Sequence, residues 1–491
     1  MIFVKQKSGM DYKWVALTVT TVGTFMSGLD GTIVVIGLPT ILKNLNATIV
    51  HGIWVITGYQ LMTTILLVLL GRLADIHGRV RLYNIGFAVF TVGSLLCGLS
   101  RNGEQLVIFR FLQGSGAALL TANSAAIITD AFPAGQLGTA LGTNMMAMNV
   151  AAVVGYTLGG VLITFLGWRS IFFINVPVGI FGTFWAYKRL KEVSVRASGQ
   201  KFDYLGSILY CAGLSVILLA LTIGDPTSLR NIIIFAVGIA IFGMVMFVES
   251  RQRFPTLDLS LFRIRMFAAG NLANFLNNVA FMCGPFLRSL YLQLILGYTA
   301  FQAGIALIPM EIMVFFLSPI SGRLADRFGG RVLSSVGLAL NASALFWFST
   351  LNQHSGYASI LVSLLLFGLG RALFISPNSS SIMGSVPAEK RGVANGVRMT
   401  LNMTGGVLSI PFSLLLMTLV MPYSRLSDIV SSNQLANGNE FITFLHAINH
   451  ACLILGFIIL VAIIPSLLRG PRTNKAQPAR DSPTQKRIVA Q

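Results

Sequence analysis

The stretch Gly71-Arg72-Leu73-Ala74-Asp75-Ile76-His77-Gly78-Arg79 decides the fold of this chain, because the chain contains it twice. The second copy, Gly322-Arg323-Leu324-Ala325-Asp326-Arg327-Phe328-Gly329, lies at an offset of 251 residues. A second pair of segments supports the match, because Gly114-Ser115-Gly116 through Gly138 corresponds to Gly368-Leu369-Gly370 through Gly392 at an offset of 254. Two independent matches at nearly the same offset indicate an internal duplication.

The composition places the duplicated units in a membrane. Of the 491 residues 54% are hydrophobic and 10% are charged, whereas soluble proteins carry about 25% charged residues. This excludes a soluble globular protein and a disordered chain. A bilayer core needs about 20 apolar residues per helix, and that window predicts fourteen spans: 14–37, 51–71, 82–100, 105–129, 137–164, 169–187, 204–223, 230–248, 267–296, 301–322, 332–351, 357–380, 393–419 and 441–468.

The repeat divides these spans into two bundles. Eight spans separate the copies, as expected for parallel repeats of six helices split by one additional hairpin. We therefore predict an all-α polytopic membrane protein with two six-helix pseudo-repeats and a central two-helix insertion. The predicted divisions are an N-terminal tail, a first bundle, basic loops with the inserted hairpin (spans 7 and 8), a second bundle and a basic disordered tail: 1–13, 14–187, 188–265, 266–468 and 469–491.

The basic residues predict the orientation. With both termini on one side, 26 of the 35 lysines and arginines fall in the tails and in loops on that side, against five in or beside the opposite loops. Because cytoplasmic loops carry the excess of Lys and Arg, both termini are expected in the cytoplasm of a multi-pass plasma-membrane protein. The basic loops and tails that face the lipid bilayer therefore account for the net charge of +19, and no nucleic-acid partner is predicted.

The repeated stretches are expected to be short loops with a mechanical role. Glycine permits a tight turn, while Asp and Arg can pair at the cytoplasmic mouth or cap a neighbouring helix. Such a latch would hold one arrangement of the two halves; the alternative is a plain turn with positive-inside arginines. The candidate gating residues are Gly71, Arg72, Asp75, Gly78, Arg79, Gly322, Arg323, Asp326 and Gly329.

Several further motifs resemble those of the major facilitator superfamily, specifically its fourteen-helix drug:proton antiporter branch of multidrug resistance exporters. They are Leu29-Asp30-Gly31-Thr32 in span 1, the two Gly-Arg-Leu-Ala-Asp stretches, Arg110-Phe111-Leu112-Gln113-Gly114 in span 4, Trp168 through Pro177 at span 6, Asp258 through Phe262, and Tyr291-Leu292-Gln293. The resemblance implies two pseudo-symmetric bundles that rock about a central cavity, with proton entry coupled to substrate exit. It implies no cofactor beyond the proton gradient.

One motif departs from that branch. The antiporter motif of span 5 normally reads Gly-Pro-x-x-Gly-Gly, and here it is Gly155-Tyr156-Thr157-Leu158-Gly159-Gly160. Gly155, Gly159 and Gly160 still allow close helix approach. The missing proline weakens the inference of antiport direction, though not of transport.

Ionisable residues inside the spans are the candidate functional groups, because each costs at least about 2.5–3.5 kcal/mol near the bilayer centre unless it is paired or faces water. Asp30 and Arg110 share a depth at about 1.5 Å per residue. We expect them to be a proton carrier and the cation that sets its pKa, or alternatively a permanent clamp between helices. The resemblance favours the coupling role.

In the second half, Arg288 and Glu311 also share a depth and are expected to lie within pairing reach, with Glu311 a second protonation candidate. Arg371 lies near the midplane, where it can bind an anionic substrate group or pair with an acid. The full set of candidate cavity residues, for which interhelical hydrogen bonding is the alternative role, is Gln113, Asn144, Asn274, Asn278, Arg288 and Arg371.

No nucleotide-binding loop, HExxH or GxSxG motif is evident, and no metal site is predicted, so an enzyme is not expected. The leading hypothesis is a monomeric, proton-driven exporter of amphiphilic small molecules. Alternatives are an anion or metabolite porter, which could be an importer, and a non-transporting membrane scaffold. The excess of intramembrane Arg over acids motivates the first alternative.

Overall fold

The computed structural model describes residues 11–193, 204–223, 228–252, 258–387, 390–432 and 438–469, and within these ranges every regular element is a helix. In chain order the helices are α1 (Tyr12–Leu45), α2 (Ile49–His77), α3 (Arg79–Leu99), α4 (Gly103–Ala131), α5 (Ala134–Leu166), α6 (Ser170–Phe173), α7 (Asn175–Arg189), α8 (Tyr204–Thr222), α9 (Leu229–Arg251), α10 (Arg265–Phe281), α11 (Gly284–Leu290), α12 (Ala300–Phe328), α13 (Gly330–Ser349), α14 (Tyr357–Gly384), α15 (Arg391–Thr418), α16 (Tyr423–Ser432) and α17 (Gly438–Leu467). Thirteen spans in these ranges are long and apolar enough to cross a membrane.

The remaining predicted span, 267–296, is interrupted. It consists of α10, the turn Met282–Cys283, α11 and a π-helical turn at Tyr291–Ile295. Pro285 opens α11 and has no N–H group to continue the helix before it. The Cys283 N–H instead donates to Ser409 Oγ at 2.7 Å, so the backbone group that the break frees is satisfied inside the protein.

The long helices form two groups, α1–α7 and α10–α17, with the pair α8 and α9 beside them. In the first group α1 packs on α5 and α4, and α4 also packs on α2 and α3. In the second group α14 packs on α12 and α13, and α17 packs on α13 and α10. Helix α8 contacts both α2 and α15, where the Tyr210 hydroxyl is hydrogen-bonded to Thr404 Oγ1.

The two groups meet at one end of the helices. We call the end where α1 begins and α17 ends the terminal end, and the opposite one the distal end. At the distal end Gly160 of α5 lies against the backbone of Ala300 and Phe301 in α12, and the Phe165 and Phe301 rings are 6.4 Å apart. Towards the terminal end α5 is exposed on more than one face, with Met145, Met146 and Met148 accessible. The space between the groups is therefore closed distally and opens at the terminal end.

Two local features differ from the sequence expectations. The repeated stretches are not loops, because α2 and α12 continue to His77 and Phe328, and only Gly78 (φ +101°) and Gly329 (φ +85°) turn the chain. Glycine is favoured there because other side chains are strained at positive φ. Helix α16 was not predicted; it buries Leu426 and Val430 and contacts the first group at α1 and α2.

Candidate functional site

A fully buried ion pair joins α1 to α4. Arg110 Nη1 lies 2.5 Å from Asp30 Oδ2, and the two side chains are 1% and 0% exposed. The shared depth that the sequence predicts for these residues is thus accompanied by direct contact.

Neutral donors complete the shell around the Asp30 carboxylate. Oδ1 accepts hydrogen bonds from Gln113 Nε2 at 2.8 Å and from Asn175 Nδ2 at 3.0 Å. Arg110 donates further to Gln113 Oε1 at 2.6 Å and to the Val55 carbonyl at 2.8 Å. The Asp30 carboxylate is thus bound by side chains from α4 and α7. Loss of its charge would weaken the ion pair, while the bonds of Arg110 to Gln113 and Val55 do not depend on that charge.

Asn175 is a member of this cluster that the sequence analysis did not single out. It is the first residue of α7, and Ile174 before it keeps helical dihedral angles, so α6 and α7 form one span. The sequence contains Asn175 within the motif of span 6, where it was not considered as a partner of Asp30. Helix α7 packs against α1, which brings the Asn175 amide to the depth of Asp30.

The cluster has an aromatic wall. The Arg110 guanidinium lies 4.2 Å from the Tyr59 ring centre and 5.9 Å from that of Phe172, distances typical of cation–π contacts. The Tyr59 hydroxyl lies 3.0 Å from Ser27 Oγ. Since Ser27 is only partly buried, Tyr59 and Ser27 separate the ion pair from the opening between the helix groups.

The second group contains a different ion pair from the one expected. Glu311 of α12 binds Arg371 of α14, with Nη1 at 3.0 Å from Oε1 and 3.1 Å from Oε2. The expected partner, Arg288, makes no ion pair with an acid among the described residues, so that expectation was wrong. Glu311 is 3% exposed and Arg371 22% exposed, so this pair is accessible from its Arg371 side.

Arg288 is held by neutral groups instead. Its guanidinium lies 4.2 Å from the Phe367 ring centre and 4.9 Å from that of Phe348, and Nη2 donates to Ser363 Oγ at 3.0 Å. The side chain is 1% exposed, and Nε has no hydrogen-bond partner among the described residues. Similar depth did not bring it to Glu311, because Arg288 faces α13 and α14, where these groups lie, and Glu311 is on α12.

Tyr156 replaces the proline of the antiporter motif and connects the two helix groups. Its carbonyl oxygen lies against Gly304 of α12, where a Cβ would clash. The phenol interacts electrostatically with Glu311 and Arg371. Helical side chains lean towards the N-terminus of their helix, which for α5 is the terminal end, and Glu311 lies two turns from Gly304 in the same direction. The only sequence signal for this contact was the tyrosine in place of proline.

The remaining candidate cavity residues fall into two classes. Gln113 and Arg288 are buried inside their helix groups in this conformation and do not line the opening. The amides of Asn144 and Asn274 each have an Nδ2 atom that no described residue accepts from, and Asn144 Oδ1 accepts from Thr24 at 3.2 Å. Asn278 donates to the Asn274 carbonyl at 2.9 Å. This bond lies within one helix, so it is not the hydrogen bond between helices that was the alternative role.

The predicted gating residues are described in part. The side chains of Gly71, Arg72, Asp75 and Asp326 lie outside the described residues. Arg79 forms a bidentate pair with Asp130 of α4, at 2.7 and 2.8 Å. Arg323 is exposed, while Gly322 lies near Ser376 of α14.

In the span 5 motif, glycine permits contact between α5 and its neighbours. A Cβ at Gly155 would clash with Thr32 of α1, and one at Gly159 would lie 2.7 Å from Ile33 Cγ1. At Gly160 the neighbour is α12, at 2.7 Å from the Ala300 oxygen. These glycines therefore join α5 to both helix groups.

Comparison with known proteins agrees with this architecture. The family model for the Major Facilitator Superfamily matches residues 20–410 and 270–489. The "Riboflavin transporter RibZ" of Clostridioides difficile (strain 630) is 32% identical over 392 residues, covering 80% of this chain and 85% of that protein. The "Tetracenomycin C resistance and export protein" of Streptomyces glaucescens is 31% identical over 399 residues, covering 80% and 74%.

A solved structure shows the same fold. The bacterial homologue of the human lysosomal transporter Spinster aligns with a TM-score of 0.69 over 94% of this chain and 98% of its own, at 15% sequence identity. The expected all-helical fold and the resemblance are both confirmed, and the chain is a multi-pass membrane transporter rather than an enzyme. It belongs to the major facilitator superfamily.

Proposed function

We propose that this chain exports amphiphilic small molecules in exchange for protons, by alternating access. The observation that carries the proposal is the Asp30–Arg110 pair, which is buried in the first helix group and held together by hydrogen bonds to the charged carboxylate. A proton that reaches Asp30 would neutralise it and weaken its attraction for Arg110. Because α1 packs on α4 and α5, that local change can shift α5, which contacts α12 at the distal end.

A second acid supports the coupling. Glu311 and Arg371 form an ion pair close enough to Tyr156, which belongs to the opposite helix group, to interact with it electrostatically. A change in the charge of Glu311 would therefore alter the electrostatic interaction between the two groups where α5 and α12 meet. Because Arg371 is partly exposed, a substrate in the opening can compete for it.

The residues that line the opening indicate which chemical class of substrate it can bind. Exposed methionines on α5 and partly buried amides offer flexible apolar contact with a few hydrogen bonds. Such surfaces suit amphiphilic ligands of varied shape. One relative is named for resistance to and export of tetracenomycin C, and another for riboflavin transport, so small organic molecules are substrates named within this family.

The test is flux in liposomes with an imposed pH gradient. The protein is reconstituted and the movement of a fluorescent amphiphilic dye is followed for the wild type, Asp30→Asn, Glu311→Gln and Arg110→Ala. Glu104→Gln is the matched control, because Glu104 is an exposed acid on α4. We expect gradient-driven flux in the wild type and the control, and its loss in Asp30→Asn. Flux that depends on neither the pH gradient nor Asp30 would contradict proton coupling.

A second candidate, an anion or metabolite porter, has one observation in its favour. In the second group Arg288 and Arg398 have no acid partner among the described residues, whereas Arg371 has one. Flux of small carboxylates, but not of lipophilic cations, that depends on Arg371 would support this function instead.

We further propose a monomer in the plasma membrane, with the terminal end in the cytoplasm. The support is the excess of basic residues in the tails and on that side. Protease or label accessibility of a tag after Gln491 in intact cells would test the orientation: accessibility from outside would contradict it.

A further inference from the structure

The two helix groups differ at one equivalent corner of the terminal end, the beginning of α3 and of α13. In the first group the Glu192 carboxylate accepts the N–H groups of Arg79 and Val80, each at 3.0 Å. The Arg79 guanidinium is neutralised by Asp130. The free N–H groups and partial positive charge at the start of α3 are therefore matched by acids from within the chain.

The start of α13 has the same backbone but not the acids. It follows Gly329, whose φ and ψ of 85° and 139° resemble the 101° and 126° of Gly78 before α3. The N-cap residue of α13 is Gly329, which has no side chain to cap the first turn. At the repeat offset of 254, Gly384 stands where the first group has Asp130. At the offset of 251 that relates Gly78 to Gly329, the counterpart of Arg79 is Gly330, so both members of the Arg79–Asp130 pair are glycines here. Arg331, the next residue, is exposed and makes no ion pair with a described residue.

A buried cation replaces the missing carboxylate. Arg469 follows α17 as Glu192 follows α7, and it is 2% exposed. Its Nη1 lies 3.4 Å from Ser334 Oγ, while Nε and Nη2 have no hydrogen-bond partner among the described residues. Ser466 is hydrogen-bonded to Ser335 of α13 at 2.9 Å. Arg469, three residues nearer the terminal end, is thereby held against the first two turns of α13, with its guanidinium beside Ser334.

This corner has an excess of positive charge that nothing in the described chain balances. Burial lowers the pKa of the Arg469 guanidinium to about 10, so the side chain is still a cation at neutral pH. A cation beside the positive end of a helix is unfavourable unless an anion lies between them. Backbone N–H groups at a helix start together with an arginine make a common phosphate-binding arrangement.

We propose that the start of α13 binds the phosphate group of an anionic lipid, with the N–H groups of its first turn, Arg469 and Arg331 as the donors. The site lies at the end where the helices leave the apolar region. An exposed apolar row continues from it along the membrane, formed by Phe328, Val332 and Val336 at 56%, 55% and 46% exposure. Such a row can accept an acyl chain, which a soluble phosphate lacks. The inference does not depend on the proposed transport function.

The test measures ligand binding to the purified full-length protein in a neutral detergent. Short-chain phosphatidylglycerol, short-chain phosphatidylcholine and inorganic phosphate are titrated separately, and the Kd is taken from the rise in melting temperature and from native mass spectrometry. We compare the wild type with Arg469→Gln, Arg331→Gln and Arg469→Glu. The matched control is Arg189→Gln, an exposed arginine at the end of α7 with the same change in charge.

We expect phosphatidylglycerol to bind the wild type and the control equally, and to bind Arg469→Gln about tenfold more weakly. Arg331→Gln, which alters an exposed residue and should fold normally, should show a smaller loss. Arg469→Glu should place a carboxylate where Glu192 lies in the first group, removing the lipid response while retaining the melting temperature. A response to inorganic phosphate of equal strength would keep the phosphate site but assign it to a soluble anion. Equal binding by all variants, or no response to any phosphate, would overturn the proposal.

Discussion

Replacing Gly304 by alanine should force α5 and α12 apart at the distal end. A Cβ at this position would clash with the carbonyl oxygen of Tyr156 and lie 3.1 Å from its carbonyl carbon. Both are backbone atoms, so no side-chain rotation can relieve the contact. The cost falls only on the conformation in which the distal end is closed, which is the one described here.

The size of the effect follows from the cost of overpacking. Inserting one carbon against fixed atoms costs about 1–3 kcal/mol. Since about 1.4 kcal/mol is a tenfold change in an equilibrium constant, the ratio of distally closed to distally open protein should fall by roughly 5- to 150-fold. The higher helix propensity of alanine, about 1 kcal/mol, applies to both conformations and cancels in this ratio.

The assay is a distance measurement between spin labels. Cysteines replace Leu166 of α5 and Gln302 of α12, both exposed at the distal end, after Cys211 is changed to serine; the other three cysteines are buried. Gly142→Ala is the control, because a Cβ there meets no atom within 4 Å. We expect Gly304→Ala to lengthen the distance and Gly142→Ala to leave it unchanged. Identical distance distributions for all three proteins would refute the argument that this close approach maintains the closed distal end.

Other expectations concern the ion pairs and the helix cap. Arg110→Ala leaves Asp30 buried without its cation and should lower the free energy of unfolding by about 3–5 kcal/mol; Asp30→Asn combined with Arg110→Gln should lose less, as thermal denaturation would show. Tyr156→Phe keeps the ring but removes the hydroxyl near Glu311 and Arg371, and should shift the pH dependence of flux. The exposed Tyr187→Phe is its control, and identical pH profiles would assign Tyr156 a packing role alone. Glu192→Gln weakens the cap of α3 and should lower the free energy of unfolding by about 0.5–1 kcal/mol, measured with denaturant. A larger loss for Glu192→Gln than for Arg110→Ala would contradict the expectation that the buried ion pair contributes more than the cap.

The sequence by itself determined the membrane class, the spans and the internal repeat. Lipid requires each crossing segment to satisfy its own backbone hydrogen bonds, so long apolar segments have to be helices. Depth could be counted along a helix at about 1.5 Å per residue, and this placed Asp30 and Arg110 at one level. The same counting could not locate the interruption at Cys283, because hydropathy does not register it.

The tertiary structure alone decided which neighbours meet. Arg288, Glu311 and Arg371 lie within overlapping depths, and the selection of Arg371 as the partner of Glu311 depends on how α11, α12 and α14 are rotated about their axes. Asn175 reaches Asp30 because α7 packs against α1. A one-dimensional pattern fixes position along a helix axis, whereas rotation and lateral contact result from packing among several helices, and the partners of the buried charges follow from that packing.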